Sequence, residues 1–374
     1  MRIAFDARPL LGTRTGVGVW LEGLVRGLIA TTGWQLVACL PRRVGDIGLG
    51  DLGGRVGLLS PPVALPGTLW LHTLAAPEIK GKADVYIATL GILPRRVTVP
   101  SAVVVHDLTP LTRPRHHTLA NRYCFNAYLA ESVANADAVV CVSETTRRRL
   151  GQHFPGAGRR AVVIANGVDA FFSPAPAGQD GEATRGRYAN GKAYIVQLGT
   201  LEPRKGIATL VAAHAALLRR RAEVPDLVLA GGQGWGGRWL EVALARHPEP
   251  QKVHVTGYVP RDDVRELLRH AEIVVLASEE EGFGLPLAEA MTCGAACVAS
   301  DEPALLELAA GAADHFRRGD AAALAVILER AFSPDRRRDL RAAAFARAAA
   351  LRWDEPLAQW RSLLADLAGS CVDT

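Results

Sequence analysis

The chain has 374 residues, 49% of them hydrophobic and 22% charged, a composition typical of globular proteins and unlike that of disordered chains. This length is greater than that of a chain with one ordinary hydrophobic core, so two domains of roughly 150 to 200 residues are expected. The net charge of +5 is uneven, because residues 1–175 carry 19 basic and 11 acidic side chains and residues 176–374 carry 24 and 27. The basic half is either a face for an anionic partner, such as nucleic acid, anionic lipid or a phosphorylated substrate, or ordinary solvated surface.

The sequence shows no sign of a membrane-spanning or secreted protein. No apolar run approaches the 18 residues of a spanning helix, and Asp6 interrupts the apolar start of the chain where a signal peptide would continue. We therefore expect a cytoplasmic protein. The cysteines form no Cys-x-x-Cys pair and have no histidine at zinc spacing, so we expect reduced core thiols and no metal site. These cysteines are Cys39, Cys124, Cys141, Cys293, Cys297 and Cys371.

Short apolar runs alternate with segments of helical period along the whole chain. This pattern is typical of parallel sheets that are covered by helices on both faces. The strands predicted in the first half are Arg2–Phe5, Gln35–Cys39, Val85–Ala88, Ala102–Val105, Ala138–Val142 and Ala161–Ile164. The predicted helices are Val19–Ala30, Leu119–Asn135 and Thr145–Leu150, the last with Ser143 as its N-cap.

Two features of the first half follow predicted strands. The loop from Gly12 to Gly18 resembles a phosphate-approaching loop, but it lacks the Lys-Ser/Thr ending of a P-loop, and any tight turn favours glycine. His106 and Asp107 follow the strand Ala102–Val105, at the edge where parallel sheets bind ligands. A histidine there either hydrogen-bonds a substrate hydroxyl or shares in proton transfer, or it is structural.

The second half repeats this layout after a linker. Residues 173–182 are rich in proline, glycine and polar residues and sustain neither helical nor strand period. The strands predicted beyond them are Ala193–Gln197, Leu227–Ala230, Val253–Thr256, Ile273–Ala277 and Ala296–Ala299. The final predicted helix is Trp353–Leu367.

Arg204 and Lys205 lie in the loop 199–206, between the strand Ala193–Gln197 and a helix predicted over Ile207–Arg219. Cations at a helix start have no favourable dipole partner, so this pair is misplaced unless an anion binds. Lysine is rare in the chain, with five lysines against 38 arginines, which makes Lys205 less typical of general surface charge. Arginine grips a diphosphate through two parallel bonds and lysine acts as a point charge. The alternative is that Arg204 and Lys205 are solvated surface charges and bind no anion.

Residues 232–237 match the dinucleotide fingerprint Gly-x-Gly-x-x-Gly after the strand Leu227–Ala230. The fingerprint requires an acidic residue about twenty positions later to hold a ribose. Residues 252–257 offer none, so we do not expect this loop to bind NAD.

The segment 278–291 combines a strand end, a glycine-rich turn and a helix start. Pro286 suits the first turn of a helix, where its missing N–H costs nothing. The backbone N–H groups of Phe283, Gly284 and Leu285 would then point at a ligand, and a helix start of this kind is an anion site.

Two carboxylates frame this helix start. Glu281 precedes the turn and Glu289 lies in the helix, so the two could hold hydroxyl groups of different parts of one ligand. Alternatively, Glu289 complements the helix dipole and Glu281 is a solvated loop residue. The sequence contains no Asp-x-Asp pair for a metal–diphosphate complex and no Gly-x-Ser-x-Gly elbow of a serine hydrolase. It also lacks a basic stripe interleaved with aromatic residues, so nucleic acid is not an expected partner.

Together these motifs resemble the retaining glycosyltransferases of family 4, which have the GT-B fold, and among them the bacterial mannosyltransferases of polysaccharide assembly. The segments 281–291 and 199–206 carry the resemblance. Supporting matches are Asp6-Ala7-Arg8, Thr15-Gly16-Val17-Gly18, His106-Asp107-Leu108-Thr109-Pro110, Ser143-Glu144, Asn166-Gly167-Val168-Asp169 and the helix after Trp353. Val19-Trp20 departs from the Arg-Tyr pair that relatives often carry.

The resemblance implies an α/β architecture of two Rossmann-like, doubly wound parallel-sheet domains that face each other across a cleft. The acceptor-binding domain would be residues 1–175, with a helix over 353–374 crossing back to it. The donor-binding domain would be residues 190–352.

The resemblance also assigns roles to individual residues. Four are expected to be catalytic: His106, Arg204, Lys205 and Glu281. Eight are expected to bind the donor: Gly16, Gly18, Thr200, Tyr258, Phe283, Gly284, Leu285 and Glu289. In this assignment Arg204 and Lys205 hold the diphosphate, Glu289 the ribose and Glu281 a sugar hydroxyl. Tyr258 lies near the base, His106 faces the sugar, and the two N-terminal glycines allow close approach to the diphosphate.

The implied activity is metal-independent transfer of a hexose with retention of configuration. The expected donor is GDP-mannose, no cofactor is needed, and the expected acceptor is an oligosaccharide or a lipid-linked glycan, for example on a polyprenyl diphosphate. A UDP-glucose or dTDP-rhamnose donor, and a scaffold that binds a nucleotide sugar without transfer, are the alternatives. The basic first half favours peripheral contact with the cytoplasmic face of the membrane.

Overall fold

A computed structural model of the chain describes residues 1–12, 14–113, 119–221, 223–234 and 238–369, apart from the side chains of 51, 53 and 119–125. The chain divides into two compact units. The first unit is Met1–Gly167 together with the segment that begins at Trp353, and the second is Val168–Arg352.

The first unit is built on a seven-stranded parallel sheet in the order β3-β2-β1-β4-β5-β6-β7. Its strands are β1 (Arg2–Asp6), β2 (Gln35–Cys39), β3 (Val56–Leu59), β4 (Val85–Ala88), β5 (Ser101–Val105), β6 (Ala138–Cys141) and β7 (Val162–Val163). All residues of β4 and β5 are buried, as expected of central strands that are covered on both faces.

Helices cover the faces of this sheet. They are α1 (Gly16–Thr31), α2 (Gly67–Thr73), α3 (Ala75–Ile79), α4 (Thr109–Thr112), α5 (Leu119–Asn135), α6 (Glu144–His153) and α7 (Pro155–Arg160). Ser143 caps α6, as predicted, because its Oγ accepts a hydrogen bond of 3.0 Å from the N–H of Thr146.

The second unit holds a six-stranded parallel sheet in the order β10-β9-β8-β11-β12-β13. Its strands are β8 (Tyr194–Leu198), β9 (Asp226–Ala230), β10 (Val253–Gly257), β11 (Ile273–Leu276), β12 (Cys297–Ser300) and β13 (Asp314–Phe316). Its helices are α8 (Glu182–Tyr188), α9 (Ile207–Leu218), α10 (Trp239–Ala245), α11 (Arg261–His270), α12 (Leu285–Thr292), α13 (Pro303–Ala309), α14 (Ala321–Ala331) and α15 (Pro334–Ala348).

The last helix, α16 (Asp354–Gly369), belongs to the first unit. Glycines make room for the side chains that attach it, since a Cβ on Gly23 would lie 2.5 Å from the indole of Trp353 and one on Gly167 would lie 2.4 Å from it. A Cβ on Gly27 of α1 would meet Leu357 at 2.4 Å. The close approach of α16 to α1 therefore depends on glycine. Residues 370–374 lie outside the described part of the chain.

The first boundary between the units lies between Gly167 and Val168, earlier than the predicted domain end at 175, and residues 168–189 belong to the second unit. The reason is a set of contacts to α11. The guanidinium carbons of Arg261 and Arg265 lie 4.5 and 4.2 Å from the centre of the Phe171 ring. The Nε of Arg269 donates to the carbonyl of Ser173 at 2.7 Å. The predicted linker therefore begins as a packed segment.

All the predicted strands occur, but β3 and β13 were missed. Both lie at sheet edges, where a short strand is only partly covered. In β3 the two central residues are exposed and one is glycine, and β13 has three residues, of which Phe316 is buried. Neither segment has the continuous apolar run by which the central strands were identified.

The cysteines whose side chains are described are buried thiols: Cys39, Cys141, Cys293 and Cys297. Burial raises the pKa of Cys141 and of Cys293 to about 12, so these thiols stay protonated near neutrality. The side chain of Cys124 and residue Cys371 lie outside the described part. Within the described ranges, no helix is long and apolar enough to span a membrane.

Candidate functional site

The candidate site of the second unit lies where β8 and β11 end. These strands are parallel neighbours, so the loops 199–206 and 277–284 leave the same edge of the sheet side by side. The N–H of Glu279 in one loop donates to the carbonyl of Arg204 in the other at 2.8 Å. The sequence-predicted residues of both loops are therefore brought together.

A buried ion pair joins the two loops. The Nζ of Lys205 donates to Oε1 of Glu281 at 2.6 Å, and the Oγ of Ser278 donates to the same oxygen at 2.7 Å. Lys205 is 9% exposed and Glu281 is 6% exposed, so neither side chain is a solvated surface charge. Burial would raise the pKa of Glu281, but Lys205, Arg204 and the bond from Ser278 lower it below its ordinary value.

Arg204 is also held by carboxylates. Its Nε lies 2.6 Å from Oε1 of Glu202, and its Nη1 lies 3.9 Å from Oε2 of Glu281. The sequence interpretation left these cations without partners unless an anion binds. The structure corrects this point, because acidic side chains of the same loops neutralise both. Glu202 had not been predicted as part of the site.

Gln197, a residue of β8, hydrogen-bonds to both loops and was missed by the sequence analysis. It is a buried polar residue of β8, and its Nε2 donates to the carbonyl of Lys205 at 2.7 Å. Its Oε1 accepts a bond of 3.3 Å from the N–H of Ala277. The signal was an amide in an otherwise apolar strand, since a buried amide requires partners on both its ends.

Glycines permit the close approach of these loops. Gly206 has a φ of +65°, and a Cβ on it would lie 1.9 Å from the carbonyl oxygen of Ala277. A Cβ on Gly231, which follows β9, would likewise lie 2.0 Å from the carbonyl oxygen of Gly199. Any larger residue at either position would therefore push the loops apart.

Helix α12 starts at the end of the second loop as predicted, with Gly284 as its N-cap at φ +100° and Pro286 in its first turn. The N–H groups of Phe283, Gly284 and Leu285 donate to no residue in the described ranges. A group of negative charge placed there would meet open donors and the positive end of the helix dipole.

Glu289 lies further along α12 and is partly buried. Its carboxyl makes no hydrogen bond or ion pair with the described residues, although Arg261 and Asp169 act on it electrostatically. Those two residues form their own ion pair, with Nη2 of Arg261 lying 2.7 Å from Oδ2 of Asp169. Burial raises the pKa of Glu289 to about 8, with Arg261 opposing and Asp169 adding to the shift.

Two other predicted donor residues, Thr200 and Tyr258, are exposed in loops at the same edge. Leu201 beside Thr200 forms a parallel bridge with Gln233, so the loop after β9 lies against the loop after β8. Residues 235–237 of the Gly-x-Gly-x-x-Gly pattern are outside the described part.

In the first unit, His106 follows β5 and lies against the indole of Trp20, at 4.6 Å between ring centres. Its Nε2 is 2.9 Å from the carbonyl oxygen of Thr89, so this nitrogen carries the proton and Nδ1 keeps a lone pair. Burial lowers the pKa of His106 to about 4. The imidazole is therefore neutral at pH 7 and able to accept a bond from a hydroxyl.

Thr89 connects His106 to β1 and was not predicted. Its Oγ1 donates to the backbone carbonyl of Asp6 at 2.7 Å. The carboxylate of Asp6 is fully buried and binds Arg8 through two bonds, at 2.9 Å to Nε and 2.6 Å to Nη2. The resemblance had singled out Asp6 and Arg8 without giving them a task.

Gly16 and Gly18 begin α1. Gly18 is buried, and a Cβ on it would lie 2.5 Å from the carbonyl oxygen of Pro9. Packing alone is thus a sufficient reason for this glycine. Thr13, in the same loop, is outside the described residues.

Two family models cover most of the chain. The model described as Glycosyltransferase Family 4 matches residues 14–170, and the model described as Glycosyl transferases group 1 matches residues 182–347.

Among related sequences, the O-antigen chain mannosyltransferase B of Escherichia coli is 29% identical over 58% of this chain and 56% of its own length. The D-inositol 3-phosphate glycosyltransferase of Kineococcus radiotolerans is 32% identical over 59% of this chain and 55% of its own length. The chain therefore spans little more than half the length of these relatives.

Solved structures resemble the whole chain. Sucrose-phosphate synthase from Thermosynechococcus elongatus has a TM-score of 0.78 at 19% identity and covers 99% of this chain and 100% of its own. HepE of Anabaena in complex with UDP-glucose has the same TM-score and identity and covers 98% and 100%. These structures establish the fold, two Rossmann-like units of the GT-B class.

The close contact between the loops 199–206 and 277–284 can be tested by substituting a glycine. We expect Gly206→Ala to lower the free energy of unfolding by about 3 kcal/mol or more, since both the positive φ and the carbonyl of Ala277 oppose a side chain. Gly191→Ala is the control, because Gly191 has a φ of +79° and nothing near its Cβ position. Its cost should be about 1 kcal/mol. Urea denaturation measures both, and equal losses would contradict the close contact.

Proposed function

This chain belongs to the family 4 and group 1 glycosyltransferases, and we propose that it transfers a hexose from a nucleotide diphosphate sugar to a glycan or lipid-linked acceptor, with retention of configuration. The observation that carries the proposal is the cluster of Arg204, Lys205 and Glu281 beside the start of α12. It combines cations, open N–H donors and a carboxylate, which are the groups that a sugar diphosphate requires.

The donor diphosphate is assigned to Arg204, Lys205 and the N–H groups at the start of α12. Arg204 is held by Glu202 of its own loop and Lys205 by Glu281 of the neighbouring loop, so both cations are positioned before a ligand arrives. Groups that need no reorganisation stabilise developing charge most effectively. As the bond to the sugar breaks, charge builds up on the diphosphate, and these groups are the ones that would stabilise it.

The sugar and the ribose are assigned to the two carboxylates. The Oε1 of the ionised Glu281 accepts bonds from Lys205 and Ser278, and Oε2 lies 3.9 Å from Nη1 of Arg204. In this proposal Glu281 would also accept a bond from a sugar hydroxyl. Glu289 would take the ribose hydroxyls. His106, with its free Nδ1 lone pair, would accept a bond from a further hydroxyl of the sugar.

Retention follows in this proposal if the acceptor enters on the face from which the diphosphate leaves. The acceptor hydroxyl then passes its proton to an oxygen of the leaving diphosphate, and the new glycosidic bond forms as the old one breaks. No strong general base is needed. The neutral His106 is consistent with this, because its pKa of about 4 makes it a weak base at neutral pH.

GDP-mannose is the donor that we propose, and the support is the similarity to O-antigen mannosyltransferases. No residue of the site is tied to a particular base. HepE of Anabaena, which was solved with UDP-glucose, has the same fold, and UDP-glucose is therefore the comparison donor.

We also propose that the first unit contacts an anionic membrane surface. Four exposed apolar side chains lie from β3 to the residue before α3, in the half of the chain with excess basic charge: Leu58, Val63, Leu69 and Leu74. Apolar side chains beside cations are typical of interfacial binding.

The role of Lys205 predicts that Lys205→Ala lowers turnover of GDP-mannose by about 100-fold or more, the scale of losing one charge-stabilising donor. Lys192→Ala is the matched control, because Lys192 is an exposed lysine of the same unit. Release of GDP is measured with GDP-mannose alone and with a mannose oligosaccharide as acceptor.

Turnover in Lys205→Ala close to that of Lys192→Ala would rule out the proposed role. Faster release of UDP from UDP-glucose would replace the mannose assignment and leave hexose transfer in place. Tight donor binding without turnover by the unaltered chain would favour the non-catalytic scaffold.

The state of Glu289 predicts that donor affinity rises by about tenfold between pH 7 and pH 9, because an ionised carboxylate accepts hydroxyl bonds more strongly than a protonated one. Donor binding should then release a proton as the group with a pKa of about 8 ionises. Calorimetric titration in buffers of different ionisation enthalpy measures both effects. Glu289→Gln should bind more weakly and show no pH dependence in this range, and a slope that persists in this variant would count against the ribose role.

Membrane contact predicts that the protein sediments with vesicles containing phosphatidylglycerol and not with vesicles of phosphatidylcholine alone. The double variant Val63→Ser and Leu69→Ser should reduce the bound fraction several-fold. Val162→Ser, at another exposed apolar position of this unit, should bind as the unaltered chain does. Binding that is insensitive to the double variant would refute the assignment of this surface.

A further inference from the structure

Three groups with unused hydrogen-bonding capacity or positive charge lie in the first unit, outside the site described above. They are Arg8 after β1, His72 in α2 and Arg95 after β4, and we call them the basic cluster. Arg8 and Arg95 follow the carboxyl ends of neighbouring strands, the edge where parallel sheets bind ligands. None of the three was predicted to bind a ligand.

His72 is the member that most requires a partner. Both of its ring nitrogens are shielded from solvent and have no hydrogen-bond partner among the described residues. An imidazole always offers at least one N–H donor, and a buried donor without a partner costs free energy. Such groups are rare in folded proteins and call for an explanation such as a ligand.

Arg8 extends the cluster. Asp6 holds its Nε and Nη2, which leaves Nη1 without a partner among the described residues. This nitrogen lies against the start of α2, since a Cβ on Gly67 would be 3.0 Å from it. His72 lies five residues further along the same short helix, roughly 8 Å at 1.5 Å per residue.

Arg95 approaches from the other side through Tyr128 of α5. The ring of Tyr128 lies 4.0 Å from that of His72, and the guanidinium carbon of Arg95 lies 5.9 Å from the Tyr128 ring centre. Arg95 has one exposed ion pair at 3.3 Å, to Glu131. Burial and the neighbouring cations Arg95 and Arg8 lower the pKa of His72, against the opposing effect of Glu131, so the surroundings of the ring are electropositive.

We propose that the basic cluster of Arg8, His72 and Arg95 binds a phosphate group of the acceptor. Phosphate oxygens accept bonds from guanidinium and imidazole N–H groups. Asp6 holds Nε and Nη2 of Arg8, so Arg8 is already oriented and offers Nη1 to the phosphate. In this proposal a covered ring nitrogen of His72 becomes a donor to the phosphate once the ring turns toward it. Naming this phosphate as the acceptor's rests on the proposed transferase function.

The phosphate could come from a lipid-linked acceptor or from a free phosphorylated compound. Farnesyl diphosphate, inorganic diphosphate and the uncharged alcohol farnesol serve as probes in calorimetric titrations. All variants carry Lys205→Ala, so that anion binding at the donor loops is weakened to the same extent in every titration. We expect Arg95→Gln and His72→Gln each to weaken binding of both diphosphates by about tenfold, the scale of one charge-assisted bond.

Lys82→Gln is the control of equal charge change. Lys82 is exposed and precedes β4, so it lies at the opposite edge of the sheet from Arg95. It should bind as the unaltered background does, and melting temperatures confirm that each variant is folded. Arg8→Lys is a secondary variant, because a stability loss is expected where a buried carboxylate loses a bidentate partner.

Unchanged diphosphate affinity in both Arg95→Gln and His72→Gln would overturn the proposal, as would an equal loss in Lys82→Gln. Farnesyl diphosphate bound more tightly than inorganic diphosphate would identify a lipid-linked source, and equal affinities would identify a free phosphate at the same cluster. Donor turnover is measured separately. No diphosphate binding to the Lys205→Ala background, with normal donor turnover by the unaltered chain, refutes this inference alone. Diphosphate binding at the basic cluster without turnover of any donor by the unaltered chain refutes the transferase function alone.

Discussion

The ion pair between Lys205 and Glu281 is the interaction around which the second unit is arranged at its ligand edge. A lysine and a glutamate that are each less than a tenth exposed are stable only as a pair, since removal of either leaves an uncompensated buried charge. Because each buried charge requires the other, the loops 199–206 and 277–284 must lie close together. Gln197 fixes both loops from β8, Ser278 donates to the shared carboxylate, and Gly206 removes the side chain that would block the approach. The pair fixes the position of Lys205, and Oε2 of Glu281 lies 3.9 Å from Nη1 of Arg204.

The cations of the two units differ in the acidic partners that hold them. The second carries the net negative half of the sequence, yet its cations face a helix start because local acids hold them in place. Within the basic cluster, Arg8 is held by a buried acid, His72 has no hydrogen-bond partner among the described residues, and Arg95 has an exposed ion pair. Net charge therefore indicates little about where an anion binds. The number of partners that each cation already has is more informative, and by that measure the basic cluster has more unused capacity than the loops around Lys205.

The sequence predicted the central strands, the Ser143 cap and the turn at Pro286, because continuous apolar runs, capping residues and proline act locally. Arg204, Lys205 and Glu281 could also be assigned to one edge of the sheet, because each follows a predicted strand and parallel strands end at the same edge. The sequence analysis missed Gln197 and Thr89, whose bonds to Ala277 and Asp6 join segments that are distant in sequence. It also missed Glu202, although its partner Arg204 lies two residues away in the same loop. The predicted domain end at 175 lies beyond the observed one at Gly167 for a related reason, since the attraction of Phe171 to the arginines of α11 depends on tertiary packing.

That packed segment also bears on the chemistry of Glu289. Asp169, which raises the pKa of Glu289, is the second residue of the second unit, and Arg261, which lowers it, begins α11. Arg352, the last residue of the unit, donates to the carbonyl of Asp169 at 3.0 Å. Burial is the largest cause of the raised pKa of Glu289, and the chain enters and leaves the unit at the ion pair that modifies this shift. Because Arg261 and Asp169 act on Glu289 in opposite directions, a small displacement of either would change how readily it ionises. The protonation of this carboxyl therefore depends on how the entering segment is held, as well as on what binds beside α12.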